Sequence, residues 1–384
     1  MAAAARARAM RAEGIDVISL TLGEPDFPTP PHIIEAAHAA ALAGQTKYPP
    51  VDGVAALKLA VQRKFRRDSG LDYALDEIIV GNGARQVIFD ALVATVDPGD
   101  EVIVPAPYWN AYPLVTALAG GTPVFVDCPQ ERGFRPPPEA VARAITLRTK
   151  WVVLNFPNNP TGAACSAADL AELAEVLRPH DHVWIMCDDM YEHLIQEGGP
   201  HATMAAVAPW LRDRVLTVSG VSKTYAMTGW RVGFAGGPRA LIRGMANIQG
   251  QATGGVCSVA QAAAVAALDG PQDCVAEMRA AYRRRRDLVV EALNACPGIV
   301  CHKPEGAFYV YPNVAGCLGR TSAGGRVLDS DEAVCLALLE EQHVALVHGA
   351  AFGMSPHLRL SYAADEATLR EACRRIEAFC RGLR

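Results

Sequence analysis

The sequence predicts an α/β protein whose central sheet is mostly parallel and lies between two layers of helices. Short apolar runs, nearly continuous and rich in β-branched residues, recur along the first two thirds of the chain, and helical patterns separate many of them. Strands buried on both faces of a parallel sheet have this composition. The length of 384 residues exceeds one ordinary hydrophobic core, so the sequence also predicts two domains.

The larger predicted domain spans residues 31–275 and alternates strands with helices. Its strands are predicted at 77–80, 101–104, 123–126, 151–154, 183–186 and 215–218, and its helices include 31–43, 53–69, 85–96, 166–177 and 259–268. Sheets of this kind bind ligands at the carboxyl ends of their strands. Residues that take part in chemistry are therefore expected just after these strands.

The smaller predicted domain is of the α+β type and combines residues 1–30 with 276–384. Its elements are a long charged helix at 275–295, strand-like runs at 307–311, 344–347 and 358–362, and a final helix. Four consecutive arginines, 283–286, lie on the long helix, where a solvated helix face is favoured over a binding patch.

Composition and charge narrow the classes of partner and location. Hydrophobic residues make up 51% and charged residues 20%, which is typical of a globular protein, and no apolar run has the length of a membrane span. The net charge of −5 gives no electrostatic reason to expect a nucleic-acid partner. The 11 cysteines are scattered and include no C-x-x-C pair, which predicts reduced thiols in the cytoplasm and neither a disulfide framework nor a metal site.

Lysine is scarce, and Lys223 is the candidate for a catalytic amine. Only six of the 36 basic residues are lysines. Lys58 and Lys64 fall in a helix predicted to be polar, and Lys150 precedes its strand, whereas Lys223 follows an apolar strand and has small residues on both sides. A buried amine has a lowered pKa and attacks carbonyl groups, which is what Schiff-base chemistry requires. The alternative from this segment alone is an ordinary surface lysine.

Other strand ends carry groups that complement pyridoxal 5′-phosphate (PLP), a carbonyl cofactor with a pyridine ring and a phosphate. Asp188 is suited to a protonated pyridine nitrogen and Tyr191 to the phenolic oxygen. The amide-rich turn at 155–162 is suited to the same oxygen from its other side. Trp109 offers a ring to stack on the pyridine.

Two further segments predict anion sites. The turn at 81–86 opens a helix, and its backbone N–H groups form a phosphate cradle, with a nucleotide-binding Rossmann turn as the alternative. Arg231, eight residues after Lys223, is suited to a phosphate. Arg359 lies in an otherwise apolar strand and requires an anion, either the carboxylate of an amino acid or an internal salt-bridge partner.

The chain resembles the class I/II aminotransferases, which are PLP enzymes of fold type I, over nearly its whole length. The segment 219–233 around the lysine, the Asn-Asn-Pro-Thr-Gly turn at 158–162 and the Asp-x-x-Tyr step at 188–191 have that family's order and spacing. Within the family, the chain most resembles the bacterial aspartate aminotransferases of the Ib type, some of which also use prephenate or aromatic substrates. Three segments carry this closer resemblance: 47–53, 105–109 and 347–353.

The resemblance implies that PLP is the cofactor and that ten positions hold it: Lys223, Asp188, Tyr191, Asn159, Trp109, Arg231, Gly83, Ala84, Arg85 and Tyr48. It implies that five positions bind the substrate: Gly23, Trp109, Asn159, Arg359 and Arg85. Lys223 would form the Schiff base and carry the proton between substrate and cofactor. Tyr48 would reach the phosphate of a neighbouring subunit, which implies a homodimer with shared active sites.

The reaction expected from the resemblance is a ping-pong transamination in which an L-amino acid gives its amino group to 2-oxoglutarate. Aspartate is the favoured donor because Arg85, at a position where the subgroup often has lysine, offers a cation for a second carboxylate. An aromatic or prephenate aminotransferase is the alternative within the family. A PLP lyase on the same fold and a non-catalytic PLP-binding sensor are the alternatives outside it.

Overall fold

A seven-stranded sheet lies at the centre of the protein, whose computed structural model describes residues 2–384. The strands are β1 Ile18–Ser19, β2 Ile78–Gly81, β3 Glu101–Ala106, β4 Thr122–Asp127, β5 Thr149–Asn155, β6 Trp184–Asp188, β7 Val215–Gly220, β8 Gly233–Gly236, β9 Tyr309–Val310, β10 Val344–Ala345, β11 Val347–His348 and β12 Leu358–Ser361. The helices are α1 Ala2–Ala12, α2 Pro31–Leu42, α3 Ala55–Ser69, α4 Ala84–Val93, α5 Ala111–Leu118, α6 Pro138–Ala144, α7 Ala167–Leu177, α8 Met204–Val207, α9 Arg239–Ala252, α10 Ser258–Asp269, α11 Asp273–Asn294, α12 Asp331–Gln342 and α13 Glu366–Arg381.

The central sheet has the strand order β2-β8-β7-β6-β5-β3-β4. β8 alone runs against its neighbours, with Phe234 opposite both Val80 and Ser219, and the pairs from β7 to β4 are parallel. The mostly parallel sheet and its six predicted strands are confirmed. β8 was not predicted, because two of its four residues are glycines, which weaken a strand pattern.

Successive residues of the central strands face two different hydrophobic cores, as the two-residue period of a strand requires. On β5, Trp151 and Val153 face the core formed with α4, α5 and α9, whereas Val152 and Leu154 face the core formed with α2, α3, α7 and α10. All four side chains are almost completely buried. The sheet is therefore covered by helices on both faces, which explains why its strands read as continuous apolar runs.

Side-chain caps fix the starts of several covering helices. At the start of α7, Ser166 Oγ accepts a hydrogen bond from the backbone N–H of Asp169, and the Asp169 carboxylate accepts one from Ser166 N. The carboxylate of Asp365 caps α13 by accepting from the backbone N–H of Thr368. Such caps satisfy N–H groups that lack a partner within the helix, so these boundaries were predictable within a residue or two.

The two ends of the chain meet beside the central sheet. β1 pairs in parallel with β10, Ile18 opposite Val344, and β11, β12 and β9 form a three-stranded antiparallel sheet. The predicted strand at 344–347 is divided between β10 and β11, which pair with different partners. The domain boundary at 275/276 stays a prediction, and α11 runs through it.

The expectation of a solvated face for the four arginines of α11 is wrong for two of them. Arg286 is completely buried, donates to the carbonyl of Pro304 at 3.0 Å and pairs with Glu197 and Asp287. Arg285 pairs with Asp26 at 2.8 Å. A buried cation needs partners, and apart from the adjacent Asp287 these come from other segments of the chain, which a local charge pattern does not reveal.

Across residues 2–384, no helix is both long enough and apolar enough to cross a membrane. All eleven cysteines are free thiols, and nine of them are buried.

Candidate active site

A cavity of about 530 Å³ opens at the carboxyl ends of the central strands and brings together most of the predicted site residues. Its lining includes ten of the twelve predicted positions: Gly23, Ala84, Arg85, Trp109, Asn159, Asp188, Tyr191, Lys223, Arg231 and Arg359. Gly83 lies directly behind the lining, beside Ala84, whereas Tyr48 does not reach this cavity and is fully exposed. The volume suits a small ligand of the size of a cofactor with a substrate.

Lys223 follows β7 and is the lysine of this cavity. Its Nζ donates a hydrogen bond to the carbonyl oxygen of Gly23 at 2.5 Å. Burial lowers the pKa of Lys223 to about 8, and the positive charges of Arg231 and Arg359 act in the same direction. A substantial neutral fraction of the amine therefore exists near neutral pH, as a nucleophile for carbonyl groups requires.

The assignment of Lys58 and Lys64 to a polar helix is wrong, because α3 buries both. Lys58 is 7% exposed and pairs with Asp52, and Lys64 is 1% exposed and pairs with Glu192. Neither amine lines the cavity, which agrees with the exclusion of both lysines as catalytic candidates. The two amines are unavailable because they are buried in ion pairs, not because they face solvent.

Asp188 ends β6 and points its carboxylate into the floor of the cavity. The hydroxyl of Tyr112 donates to Oδ2 at 2.6 Å, and the backbone N–H of Met190 donates to Oδ1 at 3.3 Å. Burial raises the pKa of Asp188 to about 6, against the hydrogen bond from Tyr112. A cationic N–H partner would stabilise the ionised form of this buried carboxylate and lower its pKa again.

Tyr112 was not predicted as a site residue. It lies on α5, three residues after Trp109, and the two rings meet edge to face with centroids 5.4 Å apart. Trp109 lies two residues before α5 begins, so helical spacing does not relate the two positions, and no sequence pattern signalled Tyr112. Tyr112 fixes the carboxylate of Asp188 and limits where a ligand can approach it.

Tyr191 and Asn159 face the cavity from neighbouring strand ends. The hydroxyl of Tyr191 shares a hydrogen bond of 2.9 Å with that of Tyr309, a second aromatic residue that sequence patterns did not identify. The backbone N–H of Asn159 donates to Asn155 Oδ1 at 3.0 Å, which holds the turn after β5 in place. Both predicted side chains are buried and line the cavity, so their polar atoms are available to a ligand bound there.

Arg359 is a buried cation that forms no salt bridge with any residue from 2 to 384. Its guanidinium donates to Asn159 Oδ1 at 3.0 Å and to the carbonyl of Thr21 at 2.5 Å, while Nε has no protein partner. The rings of Tyr309 and Phe352 lie 4.9 and 4.8 Å from it. The internal salt bridge considered from the sequence is thus not found, and the cation is available for a carboxylate entering the cavity.

The start of α4 and Arg231 form a cradle suited to a phosphate. Gly83 precedes α4 with φ of 82°, and a Cβ there would come within 2.4 Å of the Arg231 guanidinium. The backbone N–H groups of Ala84 and Arg85 begin the helix, where its dipole favours an anion. Arg231 donates only to the carbonyls of Thr228 and Asn82, so its charge has no carboxylate partner in the described chain.

Arg85 and Trp109 form the outer wall of the cavity. The Arg85 guanidinium carbon lies 4.7 Å from the centre of the Trp109 ring, a cation–π contact that holds the exposed arginine against the cavity mouth. The half-buried tryptophan presents its ring to the interior. A flat aromatic group bound inside would therefore meet Trp109 on one side, and an acidic group would meet Arg85.

Comparison with known proteins gives a family and close relatives. Residues 15–376 match the family described as aminotransferase class I and II. The chain is 56% identical to an aspartate/prephenate aminotransferase of Cereibacter sphaeroides, covering 98% of this chain and 94% of that protein. It is 53% identical to an aspartate aminotransferase of Rhizobium meliloti, over 98% and 92% of the two chains.

Two solved structures extend the likeness to three dimensions. A crystal structure of the aspartate aminotransferase from Rhizobium meliloti has a TM-score of 0.98 at 52% identity, covering 100% of this chain and 96% of that one. The aspartate aminotransferase from Thermus thermophilus with maleate has a TM-score of 0.91 at 43% identity, covering 98% and 95%.

Proposed function

The chain belongs to the class I and II aminotransferases, PLP-dependent enzymes of fold type I, and we propose that it transfers the amino group of L-aspartate to 2-oxoglutarate. The observation that carries the proposal is the buried, carboxylate-free Arg359, which faces the same cavity as Lys223. An amine that captures carbonyls and a cation that requires a carboxylate are the two groups that recognition of an amino acid needs.

We propose that the cavity residues hold PLP at five points. Asp188 keeps the pyridine nitrogen protonated, the start of α4 with Arg231 holds the phosphate, and Lys223 takes the carbonyl carbon. Tyr191 and Asn159 hold the phenolic oxygen, and Trp109 lies against the ring. When bound, PLP accepts the amino group and delocalises the charge that develops at the substrate Cα. The cradle at Gly83 and the pKa of Asp188 support this fit.

The protein's own part in the reaction is binding and proton transfer. Arg359 fixes the α-carboxylate of the substrate close to the backbone of Gly23, which orients the Cα–H bond toward Lys223. The Lys223 amine would be placed to accept the proton from the substrate Cα and to give it up again. Its pKa of about 8 lies near working pH, where an amine accepts and gives up protons with comparable ease.

Aspartate is the proposed donor because Arg85 adds a second cation at the mouth of the cavity. The names of the two relatives and the maleate in the Thermus thermophilus structure support a dicarboxylate substrate. Prephenate, named for the Cereibacter sphaeroides relative, is a 2-oxo acid with two carboxylates, and it is the second candidate substrate, as an amino acceptor in place of 2-oxoglutarate. A lyase on this fold would expel a β- or γ-substituent, and aspartate with 2-oxoglutarate would then yield no glutamate.

A panel of amino donors with 2-oxoglutarate tests the substrate, with Arg85→Met as the variant. Arg85 contributes a charge-assisted contact, so we expect kcat/KM for aspartate to fall about 10- to 100-fold in the variant, and that for phenylalanine to change less than about threefold. The measurement is glutamate formation by each donor. Arg370→Met, an exposed arginine on α13, is the control and should leave both values unchanged. Equal losses for both donors would argue against a distal-carboxylate role.

We further propose a cytoplasmic homodimer in which Tyr48 completes the partner's site. The full exposure of Tyr48 supports this, since the side chain is free to reach another subunit, and the eleven free thiols support a reducing compartment.

Mixing subunits tests the shared site. Heterodimers of Lys223→Ala and Tyr48→Phe chains contain one site with both native residues if Tyr48 acts across the interface, and none if it acts within its own chain. At limiting PLP we therefore expect the refolded mixture to gain activity toward about one quarter of the wild-type value, because half the dimers are mixed and each has one complete site. Activity equal to the mean of the two parents would contradict the shared site.

A further inference from the structure

Three charged side chains and a histidine form a largely buried cluster behind the active site, on the side of the sheet covered by α3. We call Lys64, Asp68, Glu192 and His193 the charged cluster. The first two lie one turn apart on α3, and the last two directly follow Tyr191. None of the four lines the active-site cavity, and the proposed reaction uses none of them.

The charged cluster is closely packed around the amine of Lys64. Its Nζ lies 2.5 Å from Glu192 Oε2 and 3.7 Å from Asp68 Oδ2. His193 Nε2 lies 2.9 Å from Asp68 Oδ2. Asp68, Glu192 and His193 have the spacing of metal ligands, with one ligand atom from each within 4.8 Å of the others, but the ammonium group of Lys64 already supplies the cation. The ammonium of Lys64, together with the guanidinium of Arg67 that pairs with Asp68 at 2.6 Å, therefore balances the two carboxylates.

Two hydrogen bonds join the charged cluster to the segment that carries Lys223. Ser219 Oγ, near the end of β7, donates to Glu192 Oε1 at 2.5 Å. The side chains of His193 and Thr224 lie in hydrogen-bond contact, 3.2 Å from Nδ1 to Oγ1. Ser219 and Thr224 stand on either side of Lys223 in the chain. The charged cluster thus anchors the segment of Tyr191 and the segment of Lys223 to the same point on α3.

Both carboxylates of the charged cluster stay ionised through the neutral range. Burial by itself would raise the pKa of Glu192, but the charge of Lys64, with those of His193 and His201, lowers it to about 2. Burial likewise opposes ionisation of Asp68, and hydrogen bonds from His193 and Arg67, with the charge of Lys64, hold its pKa well below the ordinary value. Loss of one partner would leave a buried charge uncompensated, so the four side chains hold each other in place.

We propose that the charged cluster is a positioning device that sets the Tyr191 hydroxyl against the Lys223 amine, and so sets the proton affinity of the linkage between Lys223 and its cofactor. The inference rests on the proposed function. Tyr191 donates to the phenolic oxygen and thereby stabilises the unprotonated linkage. A displaced Tyr191 would do this less well, and a displacement of 1 Å in a catalytic geometry can cost about 100-fold in rate.

The test is the double variant Lys64→Met/Glu192→Gln, which removes both charges while keeping side-chain size, so that neither is left unpaired. We expect the pH midpoint of the colour change of the bound cofactor to rise by about half a unit or more, and kcat to fall about tenfold with little change in KM. The matched control is Lys58→Met/Asp52→Asn, an ion pair of 2.5 Å between Lys58 on the same helix and Asp52 just before its start, and neither residue pairs with Glu192 or His193. It should leave the midpoint at the wild-type value.

Two further measurements separate positioning from stability. Thermal unfolding of the cofactor-free proteins should give similar losses for both double variants, whereas only the first shifts the midpoint. Ser219→Ala, which removes one link and no charge, should shift the midpoint in the same direction by a smaller amount, and it serves if the double variant fails to fold. The single variant Lys64→Arg, which keeps the positive charge, should have the wild-type midpoint. An unchanged midpoint in a folded Lys64→Met/Glu192→Gln or in Ser219→Ala overturns the inference.

The proposed function fails separately from this inference. If borohydride treatment of the wild-type protein leaves the cofactor on a lysine other than Lys223, the proposed function falls and the inference with it. If the label is on Lys223 and the midpoint does not move in the variants, only the inference falls.

Discussion

Replacing Lys223 with alanine is expected to abolish transamination, with a loss in kcat of at least about 10⁴-fold. Lys223 is the lysine of the active-site cavity, and no second amine there can take over either its bond to the cofactor carbonyl or its proton transfer at Cα. The loss should appear in kcat and not in KM, since Arg359 and Arg85 still bind the substrate. Single-turnover measurement with aspartate separates these quantities.

Chemical mapping complements the kinetics. Borohydride reduction of the wild-type protein should attach the pyridoxyl group to the peptide that contains Lys223, and the Lys223→Ala protein should carry no such label. Lys303→Ala is the control, because Lys303 is a half-exposed lysine outside the cavity, paired with Glu197 at 3.1 Å. A label on another lysine in the wild-type protein would refute the assignment of Lys223.

Much of the large sheet was predictable because strands buried on both faces have a simple sequence pattern. The six predicted strands are long apolar runs, and the side chains that follow five of them line one cavity. β8 has no such pattern, since Gly233 lies where the backbone of Gly83 and Ala84 approaches closely and Gly236 lies against the ring of Tyr73. A Cβ at Gly233 would come within 2.2 Å of Ala84 N, so the glycine that hides the strand also permits the tight start of α4.

The parts of the site that were missed depend on contacts between distant segments. Tyr309 and Phe352 flank Arg359 and come from separate elements near the end of the chain. Lys64 was assigned to a polar helix. Its burial was not predicted, because its partner, Glu192, is 128 positions away in the sequence. A local pattern of charge or aromatic residues does not report such partners. Groups that act at strand ends were easier to identify, because the parallel sheet itself collects them at one edge.

Replacing Asp188 with asparagine is expected to lower kcat by about 10²- to 10³-fold while Lys223 still binds PLP. Asparagine preserves the shape of the side chain and the contact with Tyr112, but it has no charge to keep the pyridine nitrogen protonated. The cofactor then stabilises the charge at Cα less well. Rapid mixing with aspartate should show the first half-reaction slowed by this factor.

Asp189→Asn is the matched control for Asp188→Asn, because the two residues are adjacent and both buried, and Asp189 faces His201 at 3.2 Å instead of the cavity. We expect its kcat within about fivefold of wild type. An equal loss in both variants would mean that buried charge in this segment matters only for folding.

The pH dependence of cofactor capture adds an independent check on Asp188. Burial raises the pKa of this carboxyl to about 6, so in the cofactor-free protein it is ionised above that pH and neutral below it. The charged form is the one that pairs with a protonated pyridine, so the rate at which the wild-type protein takes up PLP should fall as the pH drops through about 6. Asp188→Asn should lack the inflection near pH 6, because its side chain does not titrate, and should keep only the rise with pH that titration of the Lys223 amine imposes. Wild-type and Asp188→Asn profiles of the same shape through the pKa of Asp188 would remove Asp188 from contact with the pyridine nitrogen.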